Sequence, residues 1–113
     1  MSSLDCPVKT TVNLISGKWK PVILFRLLNG KMRFSEIQRH LESITHKSLA
    51  NQLQGLEKDG LITRTVYPVV PPKVEYELTD LGMSMKAILL AMYVWGAEYD
   101  RRDQSENDGD IKG

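Results

Sequence analysis

One run of the chain carries the polar groups best suited to reading another molecule. Between Thr45 and Asp59, Lys47, Ser48, Asn51, Gln52, Gln54 and Lys58 are interspersed with Leu49, Leu53 and Leu56. The leucine spacing of i, i+4, i+7 predicts a helix with one apolar stripe. At about 100° per residue, Lys47, Asn51, Gln54 and Lys58 then share the opposite face, flanked by Ser48 and with Gln52 at its margin. Asn and Gln pair with adenine N6 and N7, and Lys donates to guanine O6 and N7. The free amides at the helix start, near Thr45 and His46, suit a phosphate. A solvated surface helix would also show a polar face, so the surroundings must decide.

Other reactive side chains are few. Cys6 stands at an expected N-cap, with Pro7 at the first helical position and Lys9 one turn on. A helix N-terminus beside a lysine is a setting in which thiols react readily. There is no second cysteine. Redox or electrophile sensing would therefore use a bond between Cys6 of two protomers, a mixed disulfide with a small thiol, or direct alkylation. The plainer role is a small N-capping residue beside an interface. His40 and His46 are the only histidines, and their spacing gives no metal site. His46 is expected to touch phosphate or to cap its helix. Trp19 and Trp95 read as core and interface anchors. No Ser/His/Asp order, glycine-rich phosphate loop or carboxylate pair points to catalysis, so no catalytic residue, metal or cofactor is expected and the protein is read as a non-enzyme.

These side chains must be positioned by one small domain, since 113 residues with 42% apolar content support a single core. No stretch reaches the ~18–20 apolar residues of a membrane span. The start lacks the basic and apolar segments of a secretory signal, so no membrane partner and a cytoplasmic location are expected. A lone cysteine fits a reducing compartment. The net charge of +1 is unremarkable, but its distribution is uneven. Residues 98–113 hold six acids (Glu98, Asp100, Asp103, Glu106, Asp108, Asp110) against three bases (Arg101, Arg102, Lys112). The rest is mildly basic.

The spacing predicts this element order. A short helix follows Cys6-Pro7 and is ended by Gly17. A second opens at Pro21, apolar on nearly all sides and hence central, and stops at Asn29-Gly30. Ser35 is expected to cap a third helix in a capping box with Gln38, with Phe34 as a staple and Ile37 and Leu41 facing inward. After the break at 42–44, Thr45 caps the polar-faced helix, which Gly60 ends. Ile62–Tyr67 and Lys73–Leu78 read as strands joined by a stiff Pro68–Pro72 loop. Arg64 is either a cross-strand partner of Glu75 or Glu77, or a DNA contact. Thr79-Asp80 starts a long last helix. Its Leu81, Met85, Ile88, Met92, Trp95 and Tyr99 form a heptad seam, beside which Leu89, Leu90, Tyr93 and Val94 add apolar surface. That is more than docking on one core requires. Residues 104–113 are expected to be a disordered acidic tail.

The fold class is therefore mainly α with a small β-hairpin: a winged helix-turn-helix domain over 1–103. Its DNA-binding core spans about 20–80, and its dimerisation helices span about 7–16 and 79–101. The chain resembles the HxlR type of winged-helix transcriptional regulator, related to the MarR type. The likeness rests on Cys6-Pro-Val, Gly17-Lys-Trp-Lys-Pro21, Arg33-Phe-Ser-Glu-Ile37, Leu53-x-x-Leu56-Glu-x-Asp-Gly-Leu-Ile62, and Tyr67-Pro-x-x-Pro-Pro-Lys-Val-Glu-Tyr76-x-Leu-Thr-x-x-Gly82.

The resemblance implies a homodimer acting on a double-stranded, pseudo-palindromic DNA operator, with repression the expected sign. Thr45, His46, Lys47, Ser48, Asn51 and Gln52 map onto the start of the recognition helix. Lys73 maps onto the base of the wing. Lys18 and Lys20 map onto the stretch before the buried helix. Met85, Ile88, Met92, Trp95 and Tyr99 are the expected dimer contacts, and Cys6 the candidate redox sensor. The alternative is a winged-helix module for protein–protein contact without specific DNA binding. Its recognition face should be acidic or apolar, whereas this one is rich in Lys, Asn and Gln.

Overall fold

The computed structural model describes residues 6–112, with side chains over 6–104. Along the chain lie α1 (Pro7–Leu14), α2 (Lys20–Leu27), β1 (Met32–Arg33), α3 (Phe34–Leu41), α4 (His46–Lys58), β2 (Ile62–Tyr67), β3 (Lys73–Leu78), α5 (Asp80–Met83) and α6 (Lys86–Lys112). The strands form one antiparallel sheet of order β1-β3-β2.

Cys6 is the N-cap of α1, with Pro7 at the first helical position, where a missing N–H leaves nothing unpaired. Trp19 occupies the N-cap of α2, and Pro21 falls in its first turn. Ile23, Leu24 and Leu27 of α2 are buried at the centre of the core. Around them pack Ile37 and Leu41 of α3, Leu49, Leu53 and Leu56 of α4, Ile62, Tyr76 and Leu78 of the sheet, and Met85 and Leu89 at the C-terminal side. Each fully buried aliphatic side chain contributes about 1.5–3 kcal/mol, so this single cluster carries the fold.

The structure differs from the sequence reading in several places. The cap of α3 lies two residues earlier: Arg33 is the N-cap and its N–H donates to Glu36 Oε1 at 3.0 Å. Phe34 is therefore the first residue of the helix. Gln38 does not reach back; its Nε2 donates to the Ile44 carbonyl (3.4 Å) and ties down the turn into α4. Pairing of Met32 with Tyr76 and Arg33 with Glu75 adds a third strand. A two-residue strand is too short to show a period of two.

The last helix is also interrupted. Thr79 caps α5, accepting from Gly82 N–H at 3.0 Å, but α5 ends at Met83 and α6 begins at Lys86. Gly82 is buried against the Leu61 carbonyl, so the chain turns there before α6 departs. Beyond Asp103, where the composition predicts an unstructured tail, the backbone continues as helix to Lys112. Glu98 pairs with Arg101 and Arg102 at i, i+3 and i, i+4, a spacing that supports helix.

Candidate nucleic-acid interface

α3 and α4 are joined by the short turn Glu42–Thr45. Glu42 has φ +41, and Ile44 is buried within the turn, anchoring it to the core. Thr45 Oγ1 accepts from Ser48 N–H at 3.0 Å, which fixes the start of α4. Leu49, Leu53 and Leu56 face the core, so the opposite face turns outward. Gly60, at φ +78, ends the helix in a conformation open to glycine and returns the chain into β2.

Most of the residues proposed at the start of α4 come together. Thr45, His46, Lys47 and Asn51 are exposed, and Ser48 and Gln52 are half-buried beside them. His46 is not the cap. Its ring lies tilted against Phe34, centroids 4.5 Å apart, and this contact holds the two helix starts together. No acidic residue lies in the first turn of α4, so its N-terminal dipole stays free for an anion.

The other expected cations stand elsewhere. Lys18 is exposed, its Nζ 4.8 Å from the Trp19 ring centroid. Lys20 lies across α4 at Gly55: a Cβ built there would be 3.1 Å from its Nζ. Gly55 is ten residues beyond Thr45, roughly 15 Å along the helix. Lys20 is thus not gathered with the base-reading end. Lys73 is half-buried at the wing base, 5.0 Å above the Tyr67 ring and 3.6 Å from Glu75.

Glu75 organises that base. Its side chain is only 13% exposed and also has Lys31 at 3.8 Å. The hydrogen bond with Tyr67 is the main influence holding the Glu75 carboxyl below its usual range. The Lys73 and Lys31 ammoniums add to it, and burial opposes it. The same hydrogen bond, with burial, raises the Tyr67 phenol. This cluster was missed in sequence because Lys31 and Tyr67 meet Glu75 only through strand pairing.

Arg64 has neither cross-strand partner proposed for it. It is paired in register with Tyr76, while Thr63 and Thr65 face Glu77 and Glu75. Directly paired residues share a sheet face, so Arg64 lies on the core-facing side of the hairpin. There it lines a groove of about 480 Å³ between α4 and the wing, with His46, Gln54 and Glu57. The wing loop leaves Val70 99% exposed at its tip, beyond the sheet.

A second surface is apolar. α1 has no buried residue and exposes Val8 and Val12. On α6, Ile88, Leu90, Met92, Tyr93, Val94, Trp95 and Tyr99 are all exposed, Trp95 to 70%. Trp95 and Tyr99 stack at 5.4 Å, one turn apart. Of the expected seam, Met85 departs: at 6% exposure it belongs to the protomer's own core, because the break before Lys86 turns it inward. Ile88, Met92, Trp95 and Tyr99 remain on the open face. Cys6 is exposed at the start of α1. Among the described residues, no group of three or more His, Cys, Asp or Glu could hold a metal ion, and no helix is long and apolar enough to cross a membrane.

Residues 14–104 match the family model described as HxlR-like helix-turn-helix. The chain is 48% identical over 102 residues to the HTH-type transcriptional regulator YdeP of Bacillus subtilis, covering 89% of this chain and 80% of YdeP. Among solved structures it is similar to the redox regulator HypR. The reduced form gives a TM-score of 0.83 at 43% identity, covering 88% of this chain and 99% of HypR. The oxidized form gives 0.79 at 46% identity, covering 82% and 96%.

Proposed function

The chain belongs to the HxlR-like helix-turn-helix family of transcriptional regulators, and from that premise we propose how its residues carry the activity. It is a sequence-specific, DNA-binding transcriptional regulator of winged helix-turn-helix fold. The N-terminal half of α4 enters the major groove, where Lys47, Asn51 and Gln52 meet base edges. Thr45, His46 and Ser48 hold the adjacent phosphate at the helix start. Lys73 at the wing base, Lys18 just before α2 and Lys20 at its first residue supply further phosphate contacts. The observation that carries this reading is the α4 face itself: capped, outward, free of acids in its first turn, and set beside a wing.

The protein works as a homodimer built from α1 and the open face of α6. The uncovered Val8 and Val12 of α1 and Ile88, Met92, Trp95 and Tyr99 of α6 support this, since large exposed apolar surface marks an interaction site. Two-fold symmetry then places two recognition helices about 34 Å apart on a pseudo-palindromic operator. The protein acts in the cytoplasm, as a repressor and not as an enzyme.

Cys6 is the candidate sensor, supported by its exposure at the α1 N-terminus and by the likeness to a redox regulator whose oxidized and reduced forms are both solved. Treatment with diamide would join Cys6 of the two protomers. Both thiols lose a proton and an electron, and the diazene takes up both pairs to become a hydrazine.

Gel shifts against the gene's own upstream DNA, across a salt series, test the DNA reading. Binding that prefers one sequence and weakens steeply with salt is expected. Weak binding to every sequence, indifferent to salt, would refute it. Mass spectrometry after diamide, beside the same gel shift, tests Cys6. An unmodified thiol with unchanged binding would remove it.

A further inference from the structure

On the outer face of the sheet, Glu75 of β3 stands at the centre of a cluster of which the DNA reading uses only Lys73. Its Oε1 is buried without a hydrogen-bond partner, and Lys31 Nζ lies 3.8 Å from it. Its Oε2 has Lys73 Nζ at 3.6 Å. The Tyr67 phenol donates to the same carboxylate, and its ring lies beneath the Lys73 ammonium. Arg33 pairs in register with Glu75 and brings a third cation to this face.

The arrangement is layered. The carboxylate is covered, whereas the Lys31 side chain is 55% exposed and that of Lys73 34%. Two ammoniums therefore stand outward over one buried carboxylate. At 3.6 and 3.8 Å they are ion-paired with it but lie beyond good hydrogen-bond range, so their N–H donors stay open to an outside oxygen. Lys31 leads through β1 directly into α3, and the first helix of a helix-turn-helix crosses the DNA backbone.

We propose that Lys31 joins Lys73 in a DNA-phosphate clamp at the wing base, and that Glu75 is the positioning residue that holds both ammoniums for the duplex backbone; this rests on the DNA-binding reading. Without Glu75 the two ammoniums repel each other and their flexible stems swing apart, so ordering them is left to the moment of binding. Removing Glu75 thus has two effects of opposite sign on DNA affinity. Lost positioning weakens binding, and lost negative charge strengthens it. The lysines lie outward of the carboxylate and shield it from the duplex, so positioning prevails.

The test is fluorescence anisotropy of the full chain on a labelled duplex from the gene's own upstream DNA and on a scrambled duplex, across a salt series. Lys31→Gln should reduce the slope of log K against log salt by about 1.8, or about 0.9 for each protomer of a dimer. The reduction should be alike on both duplexes, since phosphate contacts carry no sequence information. Lys31→Arg should restore the native slope. Glu75→Gln should weaken binding and flatten the slope, and should do neither when Lys31 and Lys73 are both replaced by glutamine; a carboxylate that only stabilised the fold would act in both backgrounds. Lys31 is exposed, so its variants decide the matter if Glu75→Gln does not fold. An unchanged slope in Lys31→Gln, or tighter DNA binding in Glu75→Gln, would overturn the proposal while leaving the native chain's DNA binding in place. A native chain that binds neither duplex in a salt-dependent way would overturn the DNA reading and the clamp with it.

Discussion

Replacing Gly82 with alanine sets two effects of opposite sign against each other. In a helix, alanine is favoured over glycine by about 0.5–1 kcal/mol, so local propensity predicts a gain. Packing predicts a loss. A Cβ on Gly82 would lie 2.1 Å from the Leu61 carbonyl oxygen and 3.1 Å from its carbon. Both are backbone atoms, held by Thr79 N–H donating to Leu61 O at 3.1 Å and by Thr79 Oγ1 donating to Gly60 O at 2.6 Å. Relief of the clash requires α5 to move by about 1 Å, straining the cap that joins Gly82 N–H to Thr79. Overpacking of this kind typically costs about 1–3 kcal/mol or more, and the weakened cap and turn bonds add about 1 kcal/mol. Packing wins, by roughly 2 kcal/mol or more. For a domain of this size that lowers Tm by about 10 °C. Circular dichroism melts at fixed protein concentration measure it. A Tm equal to or above that of the native chain would refute the packing of α5 on the Gly60–Leu61 turn. The same contact fixes where α6 leaves the DNA-binding core, so the mutant, studied below its Tm, should also bind its operator less well.

Asn51→Ala should lose about 1–3 kcal/mol of discrimination between operator and scrambled DNA, read by competition gel shift; unchanged specificity would remove it from the base-reading set. Trp95→Asp places a charge on the open face of α6 and should give monomers by light scattering, with weaker operator binding. A dimeric mutant would show that the interface lies elsewhere. Glu75 has a lowered folded-state pKa, so its contribution is present above the unfolded value near 4.5 and is lost as pH falls through the folded value. Glu75→Gln should therefore flatten the fall of Tm on the acid side, and a mutant with the native acid profile would show that the Tyr67–Lys73–Lys31 cluster does not stabilise the wing base.

Elements whose pattern spans several turns were legible in the sequence. Leu49, Leu53 and Leu56 set the phase of α4 on their own, and the phase decides that Lys47 and Asn51 point outward. Val74, Tyr76 and Leu78 likewise set the face of β3, although Val74 is only half-buried. Features resting on one residue or one long-range contact were not legible. The α3 cap shifted because Arg33 supplies only a backbone N–H, which Glu36 accepts, and no side-chain cap marks the position. Met85 fits the heptad seam as well as Ile88 does. It falls inside because Gly82 must seat on a carbonyl 21 residues earlier in the chain, which breaks the helix and resets its phase.

The break between α5 and α6 also bears on how two protomers would be joined. An unbroken helix from Asp80 would bury one apolar stripe and present the adjoining one in fixed phase, with Leu81 and Met85 shared between them. The break separates the tasks. Met85 and Leu89 close the protomer core, and Ile88, Met92, Trp95 and Tyr99, about 60–120° round α6 from Leu89, are left to a partner. Substitutions at Met85 or Leu89 should therefore lower stability at any protein concentration. Substitutions at Trp95 or Tyr99 should lower it in a concentration-dependent way, because only they remove surface that a second chain covers. If Trp95→Ala and Leu89→Ala gave melts with the same dependence on concentration, the division of α6 into a core stripe and a partner stripe would be wrong.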